Sequence, residues 1–208
     1  MAYPSVSAPY GLRPINLIGG QVFAGSTRLI PIASSSGTAI YYGDVVVVNS
    51  AGTLTKVSAT ASSVSVVGVF LGCQYTNPTT KQLLQQQYYP GGVVASDIKA
   101  FVLDDPDALM KVAVVTAGTT TVSFVTQAAV GQNTAYVPNA SDGSTTTGDS
   151  AAGVSATTAA GTGLPFKVVD VVPDTAIAGF PGSYTEVIVK FNFGIHQYYN
   201  ANGSAVSA

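Results

Sequence analysis

The sequence predicts an all-β protein, a barrel or sandwich of short strands that could comprise two β units. Its apolar runs are short, as in Val45–Val48, and Gly, Ser, Thr and Asn interrupt them roughly every 8–12 residues, as in sandwiches and barrels. The valine runs lack alternation, which predicts strands that are buried on both faces. Residues 185–193 alternate polar with apolar side chains, which predicts a strand with one face in water.

The elements follow in order along the chain. Pro4, Pro9 and Pro14 oppose a helix and predict an extended arm, for which a partner chain is the expected clamp. The Ser-, Thr- and Gly-rich residues 138–164 have too few large apolar side chains to order themselves, which predicts a long exposed loop. The predicted parts are an extended N-terminal arm at 1–20, a barrel-like core at 21–125, a loop or low-complexity insertion at 126–164, closing strands at 165–195 and a C-terminal tail at 196–208.

Runs rich in Val, Ile and aromatic residues predict the individual strands. Between two of them, Asp104, Asp105 and Pro106 suit the start of a turn or of a short helix that extends to Met110. Residues 126–137 are compatible with a short helix or a loop. The strands are predicted at 27–32, 39–48, 53–57, 64–75, 98–103, 111–115, 119–125, 166–172 and 184–195.

Charge is scarce in this chain. Asp, Glu, Lys and Arg make up 9% of the residues, compared with about 25% in ordinary soluble domains, whereas hydrophobic residues reach 47%. No apolar run approaches the ~18 residues of a transmembrane helix, and the first residues lack the basic and apolar regions of a signal peptide. Such a surface predicts burial against other proteins; the alternative is a secreted Ser/Thr-rich β domain that stays monomeric.

The basic residues and the cysteine limit the possible partners and compartment. Eight Lys and Arg residues occur singly between Arg13 and Lys190, so the clusters that neutralise nucleic-acid phosphates are missing. The single cysteine, Cys73, cannot form an internal disulfide, and its strand-like surroundings predict a small buried hydrophobe. We therefore expect no nucleic-acid partner and assembly in a reducing cytoplasm.

No arrangement of residues in the sequence predicts catalysis. His196 is the only histidine, no Gly-x-Ser-x-Gly elbow is present, and nothing places His196 beside Cys73. Glu186 is the only glutamate, which leaves few pairs for carboxylate-based hydrolysis, and no zinc-ligand spacing occurs. We expect a protein that is not an enzyme and that uses no cofactor.

Two stretches of the sequence have open interpretations. Asp104, Asp105 and Asp107 are weak candidates for a calcium site, but Pro106 stands where an EF-hand loop needs ligands or glycine, so a capped turn is favoured. The Gln- and Tyr-rich residues 81–89 suit a protein-contact surface, because Tyr offers area at little entropic cost. Equally, these residues could cap the barrel.

One order of motifs resembles the small-barrel capsid decoration proteins of tailed bacteriophages. Gly43-Asp44 precedes the hydrophobic strand Val45–Val48, Lys56 follows a turn, and a Val-Gly-Val strand lies at 67–69. Residues 101–112 are also similar to a recurrent element of phage virion proteins. The resemblance covers residues 40–115 best, and that family contributes no catalytic residues.

The resemblance implies a cement function on the exterior of a virion capsid, after synthesis in the host cytoplasm. Such proteins bridge major capsid subunits, so the implied partners are the major capsid protein and copies of this chain, without a membrane. Many modest interfaces act together on a symmetric shell. The alternatives are another virion β protein, associated with the tail or a fibre, and a carbohydrate-binding β domain, for which the expected tryptophan is missing.

Overall fold

The computed structural model describes residues 6–58, 66–116, 121–138, 143–160, 163–175 and 183–192. The prediction of an all-β barrel or sandwich is confirmed, because the strands in these ranges form two six-stranded sheets. Short 3-10 helices lie at Gln127–Ala129 and Pro173–Thr175. The strands are β1 (Arg13–Leu17), β2 (Arg28–Pro31), β3 (Val45–Val48), β4 (Leu54–Lys56), β5 (Gly68–Thr76), β6 (Leu83–Gln86), β7 (Lys99–Leu103), β8 (Ala108–Val115), β9 (Asn133–Val137), β10 (Gly153–Ala159), β11 (Phe166–Val171) and β12 (Glu186–Phe191).

Five strands of the first sheet close into a barrel. Their order is β8-β10-β9-β11-β12, and β12 completes the ring by pairing with β8. The β8–β10 pair is parallel and the others are antiparallel. β1 extends this sheet by pairing with β8. Closure gives each of the five strands two neighbours, which removes the exposed edges that an open sheet would present.

The period-2 alternation of β8 separates the inside of the barrel from its outside. Met110 and Val112 are fully buried in the interior core, whereas the Lys111 side chain lies outside and is 38% exposed. Phe166 and Phe191 pack in the same interior, with ring centroids 5.3 Å apart. The interior of the barrel is therefore filled by side chains.

The second sheet, in the order β2-β7-β5-β3-β4, has an apolar core on each face. β6 pairs with the second half of β5, beyond a register shift between Phe70 and Gly72. On one face, Val69 and Leu103 join the core of the barrel. On the opposite face, Phe70 belongs to a separate apolar core. The barrel-like core predicted at 21–125 is instead mainly this open sheet, because the closed barrel is composed of strands between Ala108 and Phe191. The barrel and the sheet are two β units that share one core.

The segment 126–164, predicted as a loop insertion, instead supplies the barrel strands β9 and β10. β10 is a run of small and hydroxyl side chains, yet Val154 and Ser155 are buried. Thr134 Oγ1 donates a hydrogen bond to the Ser155 carbonyl oxygen at 2.6 Å. The loop prediction is wrong because backbone hydrogen bonds within a closed ring order these strands. Such backbone pairing does not need large side chains. Residues 139–142 and 161–162 lie outside the described residues.

The described part of the N-terminal arm is held by the chain's own barrel, not by the partner chain that we expected. Leu12 is fully buried, and β1 pairs with β8. Val6 and Tyr10 cover a small apolar cluster on the barrel's outer surface, and the Tyr184 N–H donates to Val6 O at 3.0 Å. The arm is extended, as predicted, but its clamp is intramolecular.

Smaller predictions also differ from the structure. The chain turns at 106–107, which is one of the two predicted alternatives, but Ala108 and Met110 belong to β8, because pairing with β1 and β12 overrides the short helix. The described part of the predicted strand 119–125 forms only a Val115–Val122 bridge. The predicted tail at 196–208, with His196, falls outside the described residues. In the described ranges there is no helix with the length and apolarity to cross a bilayer.

Candidate interaction surfaces

The acidic turn after β7 uses its carboxylates in local contacts. Asp104 Oδ2 lies 2.7 Å from Arg28 Nε, and Asp107 Oδ1 lies 3.6 Å from Lys190 Nζ. Asp105 Oδ1 accepts the Asp107 N–H at 2.9 Å. Each carboxylate of the weak metal candidate therefore has a structural partner, and the described residues contain no group of three or more His, Cys, Asp or Glu that could hold a metal ion.

Cys73 lies in β5 and is fully buried in the core of the second sheet. Its Sγ donates a hydrogen bond to Tyr88 O at 3.5 Å. Burial raises the pKa of the thiol to about 12, because the apolar surroundings disfavour the thiolate. The thiolate is the nucleophile of cysteine chemistry, so this residue is poorly suited to reaction.

We expect Cys73 in the folded protein to react with iodoacetamide at least about a hundredfold more slowly than the same thiol in the unfolded chain. Mass spectrometry of samples alkylated in buffer and in concentrated urea measures both rates. Because the chain has one cysteine, the urea sample is an internal control. Equal rates in the two samples would show that the thiol is accessible.

A buried carboxylate joins the two sheets. Asp44 is 2% exposed, accepts the Tyr41 N–H at 2.8 Å and receives a 2.6 Å hydrogen bond from Ser150 Oγ. Beside it, the Leu12 N–H donates to Gly43 O at 3.0 Å. Three distant segments thus meet at Asp44, and the Gly-Asp motif that carried the family resemblance is a structural junction of the fold.

A cluster of polar and aromatic side chains surrounds Arg13 at the same junction. The guanidinium lies 4.3 Å from the ring centre of Tyr42, and Nη2 is 2.5 Å from Asp149 Oδ1. Gln87 Nε2 donates to the same oxygen at 2.7 Å. A shallow groove of about 440 Å³ opens beside Arg13 and is also lined by Phe101. Sequence reasoning missed this cluster, because Arg13 and Asp149 are 136 positions apart.

A second charged cluster fastens the N-terminal arm to the barrel. The Tyr10 hydroxyl donates to Glu186 Oε1, and Lys111 Nζ lies 3.1 Å from the same oxygen. Burial raises the pKa of Tyr10, and the hydrogen bond to Glu186 raises it further. Glu186 is buried, which deprives its carboxylate of hydration. The Lys111 ammonium and the Tyr10 hydroxyl compensate this loss. We interpret this cluster as structural.

Charges are unevenly distributed around the barrel wall. β8, β11 and β12 carry the charged residues Lys111, Lys167, Asp170, Glu186 and Lys190, whereas their neighbours β9 and β10 carry none. In the sequence, only Asp142 and Asp149 are charged between Lys111 and Lys167. The order β8-β10-β9-β11-β12 therefore separates a charged side of the barrel from an uncharged side.

The sequence between Lys111 and Asp142, which has no charged residue, also exposes large apolar side chains. Phe124 is 59% exposed and Val122 is 38% exposed, although neighbouring Val125 is buried in the core. On β10, Thr157 and Ala159 face solvent. Interface centres are typically depleted of charge and enriched in aromatic residues, so these exposed residues have the composition of a contact surface.

The Gln- and Tyr-rich residues 81–89 are divided between the core and the exposed surface. Tyr89 is fully buried in the core of the second sheet, which is the capping role. In β6, Leu83 is 63% exposed and Gln85 also faces solvent, while Leu84 packs towards the core. Among the described residues β6 pairs only with β5, so its other edge is open.

Comparison with protein-family models, with curated proteins and with solved structures gives no match.

Proposed function

We propose that this protein is a structural component of a virion that decorates the capsid exterior and stabilises it by bridging major capsid subunits. The observation that carries the proposal is the separation of charge around the barrel, with β9 and β10 uncharged. A protein that remained free in solution would benefit from charge on all sides, because exposed charge opposes association. An uncharged side next to a charged side suits a protein that docks one surface on a neighbour and turns the other to water.

The compact architecture supports the same proposal. A closed barrel and a sheet with a shared, close-packed core favour a rigid body. Rigid surfaces lose little entropy on binding, so a modest contact suffices for each copy. On a symmetric shell, many such contacts reinforce one another. The resemblance of residues 40–115 to capsid decoration proteins gives this docking surface its proposed partner.

The test mixes the purified protein with expanded shells that lack it, and measures co-sedimentation and the thermal stability of the shells. We expect saturable binding and a higher temperature of shell disruption. The variant T157E adds a charge to exposed β10 on the uncharged side and is expected to weaken binding about tenfold or more, because an unpaired charge must be desolvated.

The matched control is K167E, which changes an exposed charge on β11 of the charged side. We expect this variant to bind shells like the unchanged protein. Absence of binding with no gain in shell stability would contradict the proposal, and equal loss in both variants would contradict the assigned surface. Imaging of a labelled copy on particles distinguishes a capsid position from the alternative of a tail or fibre position.

A further inference from the structure

Sheet edges in this protein differ in how they are protected against pairing with another strand. Charged residues and proline commonly protect edge strands. β1 carries Arg13, β2 carries Arg28 and Pro31, and the three-residue β4 carries Lys56. β6, with the sequence Leu-Leu-Gln-Gln, has no charge and no proline. It also exposes Leu83 at 63%, more than the 46% of Leu29 on β2.

The hydrogen-bond register shows which backbone groups of β6 are available. The Asn77 N–H donates to Gln82 O at 2.8 Å, and the register pairs Tyr75 with Leu84. Hydrogen-bonded and non-hydrogen-bonded pairs alternate along antiparallel strands, so Leu84 directs its backbone groups to β5. Leu83 and Gln85 therefore direct their N–H and C=O groups to the open edge.

We infer that β6 pairs antiparallel with β6 of a second copy of this chain. A two-fold axis perpendicular to the sheet at Leu84 places Leu83 opposite Gln85 of the other copy, and Gln85 opposite its Leu83. Each of these two pairs exchanges both of its backbone hydrogen bonds, so the outward groups of Leu83 and Gln85 are all satisfied. On the core-facing side of the sheet, Leu84 meets its own counterpart.

The absence of charge is what favours a second copy as the occupant. In this two-fold pair Leu84 lies opposite its own symmetry mate, and positions 83 and 85 lie opposite each other, so a strand with charges of one sign would place like charges together. β6 avoids this repulsion, and glutamine amides both donate and accept, so they can bond to identical side chains. By contrast, a strand selected for a different partner gains specificity from charges of opposite sign, which β6 lacks. The inference does not depend on the capsid proposal.

The experiment is sedimentation velocity of the full-length protein without shells, over a range of concentrations. We expect a reversible dimer of micromolar or weaker affinity, because the contact is smaller than standard interfaces. The variant Q85P removes an N–H that points to the open edge, at a position where an edge strand accepts proline. Each copy loses one of its donors, so we expect the dissociation constant to rise about tenfold or more.

Three further variants keep the inference testable if Q85P does not fold. L83K alters a side chain that is 63% exposed and is expected to weaken the dimer, whereas L29K, at a 46% exposed leucine on the edge strand β2, is the matched control and is expected to dimerise normally. L84C is expected to form an intermolecular disulfide on oxidation, because cross-strand residues at the axis are close enough. A monomer at all concentrations, or a dimer unaffected by both Q85P and L83K, would overturn the inference.

Discussion

We expect D44A to lower the free energy of unfolding by about 3 kcal/mol, because two donors would lose their buried acceptor. The Tyr41 N–H and Ser150 Oγ both donate to this carboxylate, and neither can reach bulk water at a site that is 2% exposed. Urea denaturation followed by circular dichroism measures the change. D44N keeps the size and one acceptor oxygen, so it should fall between D44A and the unchanged protein.

The control for this substitution is D174A, at an exposed aspartate in the 3-10 helix before β12. Exposed substitutions of this kind usually change stability by less than about 0.5 kcal/mol. If D44A cost no more than D174A, the junction between the sheets would not depend on the buried carboxylate.

G68A is expected to cost about 3 kcal/mol or to prevent folding, because β5 and β7 approach too closely for a side chain. A Cβ at Gly68 would lie 2.0 Å from Leu103 O and 2.9 Å from Val102 Cγ1. The obstacle at 2.0 Å is backbone, so a change of side-chain rotamer cannot relieve it. Thermal unfolding of the soluble fraction measures the effect.

The matched control is G37A, because a Cβ at Gly37 meets nothing within 4 Å. It should leave the unfolding temperature nearly unchanged. A G68A variant as stable as G37A would mean that the two strands can move apart at low cost, contrary to the tight pairing described above.

The sequence predicted strands best where a single strand carries its own signal. Val45–Val48 and Glu186–Phe191 were recognised from apolar runs and alternation, since both buried cores and half-buried faces leave such patterns. β10 was missed because its small residues have weak intrinsic preference, and only its neighbours in the ring decide its conformation. The short-helix alternative up to Met110 failed because pairing with β1 and β12 decides the conformation of β8.

The candidate interaction surfaces could be predicted only in part. Charge scarcity in the sequence predicts contact surfaces, but the separation of charge depends on strand order, which local patterns do not contain. Likewise, the sequence of 81–89 left two roles open, because the side chains of β6 face both the core and solvent. The Arg13–Asp149 pair joins residues that only the tertiary fold brings together.

The ring order has a consequence for the synthesis of the protein. β12 supplies the pairing that closes the barrel, and it is the last described strand along the chain. The second sheet is composed entirely of strands between Arg28 and Leu103, so it can assemble while the ribosome is still translating the barrel. β1 gains its partner once β8 is made, and the ring can close only when β12 follows. The order of strands along the chain therefore allows an early sheet and requires a late closure of the barrel.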